Sequence, residues 1–117
     1  MLALEHLVDA HGCDPRPLAD VRALTALCER VVRELGLVVV GQPQWHAFPA
    51  TSAGPGGATG LYLLSESHLS VHTWPETRAA ALNLCCCRPG AASFAWEPVL
   101  TDVLRAERVV VRTVERG

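Results

Sequence analysis

Residues 59–64, 69–74 and 79–87 are three strand-length apolar segments in a row, with only four residues between each and the next. Their β-branched and aromatic content marks them as strands, and Pro75-Glu76 supplies turn chemistry before the third. Connections this short favour a mainly antiparallel sheet. Residues 2–10 read as an earlier strand that Cys13-Asp14-Pro15-Arg16-Pro17 stops with turn chemistry. The β-branched run at 37–40 predicts another, continuing extended through Gln42 to Phe48, and residues 109–114 close the chain as a last strand. From Leu18, apolar residues recur at Val21, Leu24, Cys28, Val31 and Leu35 before Gly36, the spacing and stop signal of an amphipathic helix. Residues 93–105 place Trp96, Leu100, Val103 and Leu104 at helical spacing, with Pro98 tolerable only in a first turn. Strands outnumber helices, so the expected fold is α+β: a two-layer sandwich, mainly antiparallel, with two helices packed on one face.

A chain of 117 residues, 50% of them hydrophobic, suits a single domain, 1–117, that buries most of its unfolded surface without disulfides. Ten arginines and no lysine stand against twelve acidic residues, a formal charge of -2, which gives phosphate backbones and anionic lipid no positive excess to bind. Neither nucleic acid nor membrane is therefore an expected partner. Apolar runs fall far short of the roughly 20 residues that span a bilayer, and Glu5 stands where a signal peptide would be basic. Five cysteines, three of them adjacent at Cys85, Cys86 and Cys87, do not form a secreted disulfide framework. A cytoplasmic protein with reduced thiols is the expectation.

Strand parity sorts the polar residues. Leu69, Val71 and Thr73 share one face, and His68, Ser70, His72 and Trp74 the other. In the next strand Leu82, Leu84 and Cys86 face together, leaving Asn83, Cys85 and Cys87 on the histidine-bearing side. Buried free cysteine and hydrogen-bonded strand histidine are both commonplace, so parity alone assigns these residues no chemistry. A zinc site does not follow from them. His68 and His72 stand about 13 Å apart along a strand, consecutive cysteines alternate faces, and there is no C-x-x-C.

The stretch Thr59-Gly60-Leu61-Tyr62-Leu63-Leu64-Ser65-Glu66-Ser67-His68-Leu69-Ser70-Val71-His72-Thr73-Trp74-Pro75-Glu76 closely resembles the central motif of the prokaryotic S-adenosylmethionine decarboxylases, pyruvoyl enzymes of polyamine (spermidine) synthesis. The resemblance extends to Ala80-Ala81-Leu82-Asn83-Leu84 followed by cysteine, to His6-Leu7-Val8 with Cys13-Asp14, and to Arg108-Val109 with Glu115-Arg116-Gly117. It implies a proenzyme that cleaves itself at Glu66-Ser67 by attack of the Ser67 hydroxyl on the preceding carbonyl. Residues 1–66 become a β chain, and 67–117 an α chain blocked by a pyruvoyl group made from Ser67. That ketone, which no side chain offers, condenses with a substrate amine to a Schiff base and accepts the electrons left by carbon dioxide.

By position in the motif, the resemblance also assigns roles. His72 removes a proton during ester elimination, Thr59 assists it with a hydroxyl, and Cys87 donates a proton to the decarboxylated carbon. Glu76 matches the carboxylate that binds the ribose hydroxyls, and Phe48 the aromatic that stacks on adenine. A homodimer with sites near its interface is implied as well. The chain departs from the family pattern at Thr77-Arg78, Asn83 and Arg88 and in the longer 49–58 loop, none of which touches Ser67, His72 or Cys87. Arg78, if it pointed into the pocket, would oppose a sulfonium substrate. Relatives acting on ornithine or arginine supply the alternative substrate, and an inactive paralogue that activates a partner is the alternative without catalysis.

Overall fold

The structure is a computed structural model and describes residues 2–117. Six strands form one sheet in the order β2-β3-β4-β5-β1-β6, with every neighbouring pair antiparallel. They are β1 (Ala3–His11), β2 (Gln44–Ala47), β3 (Ala58–Leu64), β4 (Ser67–Trp74), β5 (Ala79–Cys86) and β6 (Arg108–Arg116). Helices α1 (Pro15–Leu18), α2 (Val21–Glu34) and α3 (Trp96–Leu104) cover one face. The two-layer α+β sandwich read from the sequence is the observed fold. No helix among the described residues is long and apolar enough to cross a membrane.

The core lies where the apolar stripe of α2 (Leu24, Leu27, Cys28, Val31) meets alternate residues of the central strands, among them Val8, Leu69, Val71, Leu82 and Leu84. All nine are essentially inaccessible to water. Gly36 ends α2 with φ of +67°, a conformation that a Cβ would strain. Arg30 on the outer side of α2 joins Glu34 at 2.6 Å and Asp102 of α3 at 2.9 Å, fastening the two helices across their exposed edge. Thr73 places a hydrogen-bonded hydroxyl at the layer junction. Its Oγ1 donates to the Leu18 carbonyl at 2.6 Å and accepts from the Ala58 N–H at 3.0 Å, tying β4 to α1 and to the start of β3.

Four sequence expectations need correction. Cys13 to Pro17 is a turn only in part: Asp14 caps the N–H of Arg16 at 3.0 Å and the prolines preset a third, one-turn helix. The long helix then starts afresh at Val21, with the Asp20 carboxylate accepting from the Arg22 N–H at 2.9 Å, rather than at Leu18. The 37–40 run is not a strand. A single bridge joins Val39 to Leu64, Val38 and Val40 stand exposed, and Gly41 and Pro43 intervene before β2 begins at Gln44. The later helix also starts at Trp96, not residue 93, and so places Pro98 in its first turn.

His6 sits on the core face of β1, buried beside Trp96 with ring centroids 6.0 Å apart, and its Nε2 has no partner. Burial pushes its pKa below the ordinary imidazole value. Below about pH 6.5 the unfolded chain binds the proton more readily than the folded one, so stability falls as pH falls through that value. Urea unfolding at pH 7.5 and pH 5.5 should show a smaller loss for His6→Leu than for the wild type. Equal losses would mean that His6 takes up a proton equally readily in the folded and unfolded states.

Candidate active site

In the β3–β4 register Leu64 pairs with Ser67, so Ser65 and Glu66 alone make the turn. Two-residue hairpins favour Asn-Gly or similar pairs that accept positive φ. Ser65-Glu66 offers neither, and positive φ appears one residue later, at Ser67 (+153°). For a residue with a Cβ this conformation is strained, by roughly 1–3 kcal/mol. Parity would place Ser67 on the core side with Leu69, yet its Oγ lies 3.2 Å from Nδ1 of His68. The Glu66 carboxylate accepts from Arg88 Nη1 at 2.9 Å, across the gap between the turn and the end of β5.

The cysteines divide as follows. Cys85 pairs directly with His68 on the open face, and Cys86 is fully buried in the core. Cys87 lies outside β5, which ends at Cys86, and is exposed. Strand parity therefore does not govern it, contrary to the sequence reading. Its place beside the turn follows instead from Arg88, whose ion pair with Glu66 holds this segment against the hairpin. Glu66, Ser67, His68, Cys87 and Arg88 thus gather at one end of the sheet.

A second cluster forms at the other end of the same strands. Thr59 pairs with His72, and Thr59 Oγ1 and His72 Nδ1 are 2.5 Å apart. Edge-on rings flank His72, Trp74 at 4.4 Å and Phe48 at 5.6 Å between centroids. Glu76 follows on the single 3-10 turn Pro75–Thr77. With the 49–57 loop, Phe48, His72, Trp74 and Glu76 line a cavity of about 360 Å³. The loop closes at its neck, where the Phe48 N–H donates to the Gly57 carbonyl at 2.9 Å. Gly57 must be glycine, because a Cβ there would overlap the Thr73 backbone. Arg78 takes a left-handed φ of +54° and lines a separate cleft with Asp14, Arg105 and Glu107. Its charge is thus kept out of the cavity beside Glu76.

The structure therefore assembles Phe48, Thr59, His72 and Glu76, and separately Glu66, Ser67 and Cys87. It does not bring the two sets together. Five residue steps along β4 separate Ser67 from His72, about 17 Å at the usual strand rise. Sequence reasoning gave no role to Trp74, although its shared parity with His72 was a usable signal. The Glu66–Arg88 pair had no sequence signal, since 22 residues separate the partners.

Comparison with known proteins places this combination of fold and polar face among the decarboxylases. The family profile described as S-adenosylmethionine decarboxylase matches residues 4–117. The S-adenosylmethionine decarboxylase proenzyme of Sulfurihydrogenibium sp. (strain YO3AOP1) is 34% identical over 116 residues, 99% of this chain and 83% of that protein. The proenzyme of Parasynechococcus marenigrum (strain WH8102) is 33% identical over 116 residues, 99% and 86% of the two chains. The crystal structure of the adenosylmethionine decarboxylase from Aquifex aeolicus VF5 superposes with a TM-score of 0.81 at 30% identity, covering 98% of this chain and 90% of that one. The chain belongs to the S-adenosylmethionine decarboxylase family.

Burial pushes the Cys28 thiol up to about 12 and Cys13 to about 11, and raises Cys86 as well. A thiolate is needed for alkylation. Iodoacetamide at pH 8 should therefore add one label rapidly to the native protein, at Cys87, and label the other four cysteines only in denaturant. Rapid native labelling of Cys28 or Cys86 would contradict the packing described.

Proposed function

We propose that this chain is a proenzyme that cleaves itself between Glu66 and Ser67 and then decarboxylates S-adenosylmethionine, giving the aminopropyl donor of polyamine synthesis. The observation that carries this reading is the family match over nearly the whole chain, with Glu66-Ser67, His72 and Cys87 in place. Chemically, the Ser67 hydroxyl adds to the Glu66 carbonyl, the C–N bond breaks, and an ester links the two residues. His72, oriented by Thr59, then takes the Ser67 Cα proton and the Glu66 carboxylate leaves. Water hydrolyses the resulting dehydroalanine, releasing ammonia and leaving the pyruvoyl group.

Ser67 fits that origin: it is a strained hydroxyl residue at a turn, where cutting the chain affects only the terminal Leu64–Ser67 pair of the ladder. The pyruvoyl group supplies a ketone that condenses with the substrate amine and takes up the electrons left by carbon dioxide. The chain's own residues do the rest. Phe48 and Trp74 offer flat apolar faces for adenine, and Glu76 offers acceptors for the ribose hydroxyls at the cavity mouth. Cys87 delivers the proton that replaces carbon dioxide. Free thiols throughout suit a reducing, cytoplasmic setting.

The separation of about 17 Å between Ser67 and His72 supports a homodimer with shared sites. A two-fold axis through the open face would set the turn of one protomer over the Thr59–His72 pair of the other. That face is suitably apolar, with Leu61, Leu63, Trp74 and Val114 exposed on it. Each site then combines Ser67 and Cys87 of one protomer with the partner subunit's Thr59, His72 and Glu76.

Denaturing mass spectrometry of the purified protein should show chains of residues 1–66 and 67–117, and Ser67→Ala should remain whole. His72→Ala alone should also fail to complete cleavage. Mixing Ser67→Ala with His72→Ala should restore it in about half of the His72→Ala chains once protomers exchange, because one site per mixed dimer is complete. No restoration in demonstrably mixed dimers would place both residues in one protomer's site.

Carbon dioxide release, measured side by side, should be fast with S-adenosylmethionine and at background with ornithine and arginine. Phe48→Ala should raise KM about tenfold or more by removing an aromatic contact. Turnover of an amino acid alone would overturn the substrate while leaving the cleavage chemistry intact.

A further inference from the structure

We propose that His68 is the base that starts self-cleavage, taking the Ser67 hydroxyl proton within its own protomer, while His72 acts only at the later elimination. The inference rests on the proposed cleavage at Glu66-Ser67. His72 is about 17 Å along the strand from Ser67. It is also already engaged at Nδ1 by Thr59. His68 Nδ1, by contrast, lies 3.2 Å from Ser67 Oγ. That contact spans adjacent residues whose side chains would point to opposite faces in a regular strand. It exists because the Ser67 backbone, at φ +153°, departs from strand geometry. The turn's distortion therefore does something specific: it turns the nucleophile onto an imidazole.

The neighbourhood fits the task. Of the other histidines, His6 is sealed in the core, His46 stacks on Phe48 at 4.6 Å, and His11 pairs with Ala79 at the far end of β1. His68 is half-buried and faces Leu63 on one side and Cys85 on the other, so its ring is held between two strands. On the acyl side, Arg88 fixes the Glu66 side chain at 2.9 Å. Nδ1 accepts the proton when Nε2 carries the ring hydrogen. As Oγ bonds to the Glu66 carbonyl carbon, the hydroxyl proton passes to Nδ1. When the C–N bond breaks, the imidazolium returns a proton to the departing Ser67 nitrogen. The products are an ester and a free amine, and His68 is neutral again, so the step consumes no outside reagent.

The experiment compares wild type, His68→Ala, His68→Asn and His72→Ala, each checked for native fold by near-ultraviolet circular dichroism. Chains are resolved on denaturing gels before and after hydroxylamine, which cuts an ester at this position and leaves the amide. His72→Ala should stall at the ester and give the two fragments with hydroxylamine. His68→Ala should stay whole and resist it, with ester formation slowed about 100-fold or more. His68→Asn keeps a hydrogen-bonding atom near the Nδ1 position but cannot carry the proton, and should be as slow. Added imidazole should speed His68→Ala and leave His68→Asn unchanged, a response that a packing role would not produce. Mixing Ser67→Ala with His68→Ala should not restore cleavage. The inference is overturned if either His68 variant cleaves within about threefold of the wild type, or if either accumulates the hydroxylamine-sensitive ester. A wild type that never cleaves would instead remove the self-processing reading itself.

Discussion

The register between β3 and β4 governs the rest of this structure. Pairing Leu64 with Ser67 leaves two residues for the turn, and the same ladder sets Thr59 opposite His72. A slip of one residue would lengthen the turn, remove the distortion at Ser67 and move both histidines to the core side of the sheet. Several contacts resist that slip. Gly60 lacks a Cβ in the space that the Trp45 indole fills, Trp45 lies edge-on to Tyr62 at 6.1 Å, and Thr73 is bonded to α1 and to β3. Moving the register would break all of these together.

The open face is the second consequence. Three helices are enough to cover one side of a six-stranded sheet, and none remains for the other. On β1 and β6 that bare side is tempered by ion pairs, Asp9 with Arg112 at 2.8 Å and Glu5 with Arg116 at 3.0 Å. Exposed pairs of this kind contribute roughly 0–1 kcal/mol each and mainly keep the surface soluble. On β3 and β4 the exposed residues are instead leucine, histidine and tryptophan. Across the open face, charge thus gives way from the β1–β6 edge to an apolar, histidine-bearing region.

What the sequence disclosed followed the strength of its periodicities. Strands with period two and α2 with its 3.6 spacing were legible, as were the faces of His68, His72, Cys85 and Cys86. Val38 to Val40 misled because β-branched residues favour a strand only where a partner edge is long enough, and β2 takes Ala58 to Leu61 of β3, leaving this run a single bridge at Leu64. Cys87 misled in the opposite way, since parity was extended one residue past the end of its strand. The family motif named Ser67, His72 and Cys87 but carried no distances. Only the coordinates show that the first two lie at opposite ends of one strand.

A two-residue turn at the proposed scissile bond would let a cut chain remain one protein. The β3–β4 ladder from Leu63–His68 to Thr59–His72 lies beyond the proposed break and would be untouched by it. Residues 1–66 supply β1, α2 and β3, while 67–117 supply β4, β5, α3 and β6, so the two products alternate across the sheet. Every boundary between them is a full antiparallel ladder: β3 with β4, β5 with β1, and β1 with β6. Cleavage at the turn would release local strain without exposing core, and would leave the new chain start next to His68, which both neighbouring strands pair. A catalytic group made at a chain end would ordinarily be mobile. One made at Ser67 would inherit the position of a hairpin.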